Sequence, residues 1–472
     1  MFNKVTFNTT TFNVNNGAIV FEGDVYNSRC RYISCYLEIY FDGLDNTPVT
    51  IDNINVDSIE LLEEVRPDSE RIFGAISSNE LNISFANIDR KFSPSNINSP
   101  YYGKILPKTP IKAYLCIEDG GQTYTTCLGT FYSNSWDDQN GLPIVKVSSY
   151  DKLYFTGPND FAGTEYKIQY KGEWFIEVFT AMGLTADDYE IANIFFYEGQ
   201  SLEGWLSAGS NFEALGTLAE ACGAYVYMNR SDKVKVIPLD ITTIPTRKIT
   251  EYDQIIAASN PTSYYDVYSR ININVYQYKW DIHNEDKVLS IPQVYANSNS
   301  QDVLIQRCKF EKPVARITDI QCVANVINNP ILITKMTHTA ENITLYLRAY
   351  DWSGSSDINV YAYYVQVSNF LITQQNTNLQ QLIGDKVYNI DNKLLSESFR
   401  AQNLSESINL IASNPRAIIK VQIRGSANIT AGDTIVVSDN LDHIGEHKVF
   451  IYRSKLTLLG GLAQEIEGYI LS

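Results

Sequence analysis

No run in the 472-residue sequence approaches the ~20 consecutive apolar residues that a bilayer-crossing helix needs. The first residues, MFNKVTFNTTTFNVNNG, have no apolar stretch of signal-peptide length and a single early lysine. The expectation is a chain made in, and soluble in, a cytoplasm. Cationic charge is also scarce: 37 Lys and Arg stand against 54 Asp and Glu, a formal charge of -17, which argues against a surface built to grip phosphate backbones. The seven cysteines (Cys30, Cys35, Cys116, Cys127, Cys222, Cys308 and Cys322) show neither a CxxC pair nor zinc-type spacing, so reduced and mostly buried thiols are expected. The nucleotide and nucleophile fingerprints G-x-x-x-x-G-K-[ST], G-x-G-x-x-G after a strand, and G-x-S-x-G are missing, and His283 and His338 stand alone. With no short internal period, solenoids and propellers lose support.

What is present is a folded composition, 44% hydrophobic and 19% charged, over a length that calls for two to four domains. Alternation dominates. Leu81, Ile83 and Phe85 share one face, as do Ile111, Ala113, Leu115 and Ile117; a turn at Asp119-Gly120-Gly121-Gln122 then returns the chain through Tyr124, Thr126 and Leu128. Helical spacing interrupts this in a few places. In SNFEALGTLAEACG, Ser210 and Glu213 form a capping box, Phe212, Leu215, Leu218, Ala219 and Cys222 line one face, and Gly223 ends the helix. The following AYVYMNRSDKVKVIPL reads as a hairpin folded over 229–232. A second helix is expected through Trp174, Phe175, Val178, Phe179 and Met182, and a third over 399–413.

Few helices set between blocks of strands make the fold class α+β, predominantly β. The expected division is 1–150 (an N-terminal segment and a first β unit), 151–250 (an α+β unit with the capped helix and hairpin), 251–297 plus 377–472 (a second β unit), and a β-rich insertion at 298–376.

Three features invite a chemical reading. HIGEH, from His443 to His447, matches the inverted zinc-peptidase string, but that chemistry needs both histidines on one helical face, and Gly445 inside with KVFIYRSKL after it indicates a turn between strands. The carboxylates Asp137-Asp138 and Asp187-Asp188-Tyr189-Glu190 could be imagined as a glycosidase pair, yet neighbours in sequence do not supply two facing carboxyls; a hairpin turn and a solvated loop explain them better. The 32 tyrosines, with runs at 264–265, 276–278 and 361–364, suit strand surfaces first, protein interfaces second and sugar platforms third. No catalytic, cofactor or metal residue is assigned, and a non-enzymatic protein is expected.

The stretch 85–115, FANIDRKFSPSNINSPYYGKILPKTPIKAYL, places a loop with four prolines and two tyrosines between strands. Together with SIELLEEV (58–65), GAISSNELNISFAN (74–87), the capped helix and its hairpin, SESFRAQNLSESINLIAS, and the closing IIKVQIRGSANITAGDTIVVSD and LTLLGGLAQEIEGYIL, it resembles the tail-tip or baseplate hub proteins of bacteriophages infecting Gram-positive bacteria. The resemblance leaves out the first 30 or so residues and 298–376. It implies two tube-type β-barrels per subunit and a homotrimeric ring of pseudo-six-fold form, which joins a hexameric tail tube to a three-fold tip around a channel that DNA passes without specific binding. Implied partners are the tail tube, distal tail or baseplate proteins, and a tape measure or tip protein, in the virion. On this resemblance the loop is an assembly element, with Phe92, Pro94, Pro100, Tyr101, Tyr102, Gly103 and Lys104 as its candidate residues. The chain's end at Ser472 leads to the expectation that wall-hydrolase and receptor-binding activities belong to separate proteins. The rival readings are a carbohydrate- or receptor-binding tail protein and, behind it, a cell-wall hydrolase with dispersed carboxylates.

Overall fold

A computed structural model describes residues 11–14, 17–20, 32–66, 71–119, 122–138, 142–250, 255–261, 267–297, 304–324, 331–349, 353–414, 417–439 and 445–471. Strands predominate and helices are few, as the alternation implied.

The largest element is a sheet of thirteen strands. It runs in the order Ile255–Ser259, Ile418–Ile423, Leu462–Ile470, Gly445–Leu458, Val56–Glu64, Glu80–Ala86, Ile144–Tyr150, Gln122–Asp138, Pro110–Asp119, Tyr32–Ile39, Val49–Ile51, with Thr434–Asp439 and Arg247–Thr250 branching from Gly445–Leu458. Its N-terminal part curls on itself, because Leu37, Leu61, Leu81, Phe85, Leu115 and Val147, from strands spread across the sheet, converge in one buried cluster. The C-terminal part does the same around Ile249, Ile419, Val421, Ile435, Val449 and Ile466. Burying one face of each strand while the other stays polar yields the period-two pattern read in the sequence.

One strand belongs to both halves. Along a single edge of Gly445–Leu458, residues 445–450 pair with Thr434–Asp439 of the second unit, and residues 453–458 pair with 59–64 of the first. Its side chains divide in the same way: Val449 and Ile451 enter the second core, Leu456 the first, and Phe450 and Tyr452 a third core on the opposite face.

That third core is the α+β unit. Helix Lys171–Ala181 buries Trp174, Phe175, Val178 and Phe179, and packs beside Asn211–Cys222, which begins at a capping box between Ser210 and Glu213 and ends at Gly223 with φ 61°. The positive φ is why a glycine terminates this helix. The hairpin Ala224–Met228 and Val234–Pro238 follows, folded over 229–232 as expected. Helix Ser398–Ala412 adds Ala401, Leu404 and Ile408, and Ile271, Ile273 and Val275 of Arg270–Lys279, together with Tyr388 and Ile390, complete the cluster. Arg270–Lys279 therefore packs with the α+β unit, although it lies within the segment 251–297.

Arg270–Lys279 and Gln366–Gln375 form a ten-pair antiparallel ribbon. Beyond it stands a small sandwich of two three-stranded sheets spanning Glu285–Asn297 to Ser353–Tyr364, closed around Val288, Phe310, Leu345, Leu347, Ile358 and Val360. This separate core starts before residue 298 and ends before residue 376. No helix among the described residues is long and apolar enough to cross a membrane.

Candidate functional site

The loop at 87–109 closes one end of the first β unit. Asn87 sets its entry: Oδ1 accepts the Phe92 N–H at 3.0 Å, and Nδ2 donates to Ser93 Oγ at 3.0 Å. Successive turns follow, with Ser99 N–H donating to Asn96 O at 3.0 Å, Tyr102 N–H to Ser99 O at 3.1 Å and Lys104 N–H to Tyr101 O at 2.9 Å. Ser99 Oγ donates back to Lys91 O, and Arg90 pairs with Asp138 at 2.6 Å. The loop's shape is thus set by its own chain.

Its seven candidate residues divide into two groups. Phe92 is buried, and Tyr101 stacks on Phe92 (5.3 Å between centroids) and on Phe41 (4.7 Å), which lie 6.5 Å from each other. Phe85 meets Phe92 edge-on at 5.1 Å, so these rings plug the end of the first core. Pro94, Pro100, Tyr102, Gly103 and Lys104 face outward. Tyr102 is 54% exposed and Ile97, in the same loop, 72%. Lys104 bridges to Asp42 at 2.8 Å, a surface pair worth little to stability.

Sequence reasoning missed the joint between the two β units. Arg230, in the turn 229–232, donates from Nε to Glu63 Oε1 at 2.8 Å and from Nη2 to Glu63 Oε2 at 2.7 Å, while Nη1 donates to Ala427 O. Glu63 is buried and the Arg230 side chain is 10% exposed. Asp232 in the same turn accepts from Thr130 N–H at 2.8 Å and from Thr130 Oγ1 at 2.6 Å. One turn of the α+β unit therefore binds strands of the first β unit and a loop of the second. On the outer face, Lys420, Glu467, Arg453 and Glu64 stand opposite one another on four adjacent strands. They are linked at 3.0, 3.1 and 2.9 Å, so a row of alternating charge crosses the seam. Burial opposes ionisation of Glu467, but Lys420 and Arg453 outweigh it and hold its pKa below the usual value; burial dominates at Glu64 and raises its pKa. No short motif signals these partners, most of which lie far apart in sequence.

At the two ends of the sheet order, Val49–Ile51 and Ile255–Ser259 each have one hydrogen-bonded neighbour among the described residues. Such edges can accept another strand.

The motifs weighed for chemistry do not assemble. His443 and Ile444 lie outside the described residues; Gly445, Glu446 and His447 belong to a strand, where Glu446 pairs with Lys248. Asp137 and Asp138 end the strand Gln122–Asp138, where Asp138 is held by Arg90; residues 139–141, expected as a turn, lie outside the described residues. Asp188 accepts the Thr185 N–H at 2.8 Å and meets Lys152 at 2.9 Å, which together hold its pKa down to about 2. Among the described residues no three His, Cys, Asp or Glu gather as a metal site would require. Cys35, Cys116, Cys127, Cys222, Cys308 and Cys322 are free thiols, and burial pushes Cys35 up to about 11; Cys30 lies outside the described residues.

No family model and no curated protein matches the chain. Among solved structures it is similar to the 43 kDa tail protein of prophage MuSo2 from Shewanella oneidensis (TM-score 0.49, 9% identity, 93% of this chain and 98% of that one covered). It is similar also to the tail protein from Neisseria meningitidis MC58 (0.48, 8%, 93% and 96%). A third likeness is to prophage tail protein gp18 from Listeria monocytogenes EGD-e (0.44, 9%, 92% and 94%). All three of these proteins are described as tail proteins.

Proposed function

We propose that the chain is a structural hub of a phage tail tip or baseplate, three copies of which form a ring that joins a six-fold tail tube to a three-fold tip around the DNA channel. The observation that carries this reading is the strand Gly445–Leu458, which fuses two curled β units edge to edge in one sheet. Two such units per copy give a ring of three copies six repeats, the symmetry match a hub needs. The single-neighbour edges at Val49–Ile51 and Ile255–Ser259 lie at opposite ends of that sheet order, which suits head-to-tail joining of successive copies. The outward residues Pro94, Pro100, Tyr102, Gly103 and Lys104 form the docking surface for a neighbouring tail protein, on a loop pre-ordered by Phe92 and Tyr101, so that little conformational entropy is lost on docking.

The test is mass photometry of the purified chain with and without the tail-tube protein, followed by negative-stain imaging. Trimers and annular particles are expected. A chain that stays monomeric under both conditions overturns the reading.

A further inference from the structure

The satellite sandwich carries a surface unlike the rest of this acidic chain. Three strands, Leu304–Lys309, Ile331–His338 and Asn342–Ala349, form one of its sheets, and their 22 residues include no Asp or Glu. The inward side chains Ile343, Leu345 and Leu347 belong to the sandwich core. Cross-strand register places Arg307 beside Thr344, Lys309 beside Asn342, Lys335 beside Tyr346 and Arg348 beside Leu332, so all four cations share the outward face. All four are exposed, and none has an ion pair among the described residues. On the same face lie Ile305, 49% exposed and paired with Tyr346, and Leu332, 45% exposed and paired with Arg348. A face on which Ile, Leu and a tyrosine are interspersed with Arg and Lys has the composition of a protein-docking face, whereas a phosphate polymer would gain nothing from exposed Ile and Leu.

A matching surface exists on the same chain. Residues 160–203 carry nine carboxylates against two lysines, Lys167 and Lys171. Lys167 is already paired with Glu177 and Lys171 is buried. Among these carboxylates are the exposed side chains of Ile168, Tyr170, Ile194 and Tyr197. Lys152 and Lys235, from outside the segment, pair with Asp188 and Glu190, and the surplus stays negative. The two patches therefore present apolar groups within net charge of opposite sign.

The sandwich is also held in place. Glu341 Oε1 accepts from Trp205 Nε1 at 2.8 Å, from Ser207 Oγ at 3.2 Å and from Lys393 Nζ at 3.2 Å, and Ala340 N–H donates to Thr164 O at 2.8 Å. These bonds tie the sandwich to the α+β unit and fix the direction in which its basic face points.

We propose that the basic face formed by Arg307, Lys309, Lys335 and Arg348 docks on the acidic 160–203 surface of a second copy of this chain, making the sandwich a brace between neighbouring subunits. A two-fold contact centred on the basic face would set four cations against four cations. A contact in which the basic face of one copy meets the acidic surface of the next, without the reciprocal contact, is heterologous and generates a ring when its rotation closes. This inference rests on the ring-forming reading above and adds to it a second, charge-dependent contact away from the sheet edges.

The experiment uses the full chain in mass photometry at low and high NaCl. The combined variant Arg307→Glu, Lys309→Glu, Lys335→Glu, Arg348→Glu should weaken self-association by roughly tenfold or more at low salt, with its thermal midpoint unchanged. Adding Asp187→Lys and Glu198→Lys to that variant should recover a substantial part of the loss, a rescue that a merely misfolded sandwich would not show. Association that is equal in wild type and the four-site variant at both salts overturns the brace while leaving the ring reading standing. A wild type that is monomeric throughout overturns both. If polyphosphate or single-stranded DNA binds the wild type but not the variant while association is unchanged, the face belongs to a polyanion and the proposal fails.

Discussion

Arg230 and Glu63, 167 residues apart in sequence, form a largely buried pair with two parallel hydrogen bonds of 2.8 and 2.7 Å. A guanidinium fork that meets both carboxylate oxygens, and also a main-chain carbonyl at Ala427, leaves little of either charge unsatisfied in a place that water reaches poorly.

Removing one partner should therefore be costly. Arg230→Met is expected to lower unfolding free energy by about 3–5 kcal/mol, since it strands the Glu63 carboxylate in the interior. The double variant Arg230→Met, Glu63→Leu should recover most of that loss, because no lone charge remains. Urea denaturation of the three chains checks both expectations. A single-variant loss under 1 kcal/mol would mean that the pair is open to solvent.

Gly216 lies inside helix Asn211–Cys222, where alanine would ordinarily add about 1 kcal/mol of helix propensity. A Cβ there would meet Gly74 O at 2.6 Å, and one on Gly74, whose φ is 85°, would meet Gly216 O at 2.8 Å. Both obstacles are backbone and have no rotamer to yield. Gly216→Ala should thus destabilise by about 1–3 kcal/mol, a reversal of the propensity sign that thermal denaturation will detect.

Asp151 caps the helix Lys152–Thr156 from a fully buried position, accepting from Asn79 N–H at 2.7 Å and Leu153 N–H at 2.9 Å. Burial, only partly offset by those N–H groups, pushes its pKa up to about 7. An unfolded aspartate titrates near about 4, so the folded chain holds this proton more tightly than the unfolded one. The stabilisation is complete below about pH 4 and is lost as pH rises through about 7, with a ceiling of ~4 kcal/mol. Denaturant midpoints measured over that window should fall more steeply for wild type than for Asp151→Asn, in which the titrating group is gone.

If the loop 87–109 docks a neighbouring tail protein as proposed, stability and assembly separate at adjacent positions. Tyr101→Ala removes the ring stacked on Phe41 and Phe92 and should cost about 2–4 kcal/mol. Tyr102→Ser changes a ring that is mostly in solvent, so the thermal midpoint should hold while ring formation with the tail-tube protein weakens. Calorimetry and mass photometry on the same two samples distinguish the roles.

Local signals were legible in the sequence and long-range ones were not. Ser210, Glu213 and Gly223 specified a helix with both ends in place, because capping chemistry acts within one turn. The alternation of Leu81, Ile83 and Phe85, and of Ile111 through Ile117, gave strands whose inner faces are buried. The limits of the sandwich were not legible. Its first strand, Glu285–Asn297, and the ribbon strand Arg270–Lys279 before it share one period-two pattern, and alternation does not say which core a face enters. The same limit hid the double allegiance of Gly445–Leu458, whose sequence reads as a single ordinary strand. Of the loop, the aromatic and proline content was visible, but which tyrosine turned inward depended on Phe41, some 60 residues away.

The double pairing of Gly445–Leu458 also bears on biogenesis. Strand Val56–Glu64 is synthesised long before the partner for its outer edge, residues 453–458. Until those residues emerge, the N-terminal unit waits with a bare strand margin, so its completion is slow by topology. Ribosome-bound chains truncated before residue 450 should accordingly recruit chaperones or clump, whereas chains in which 453–458 have emerged should lock the two halves together.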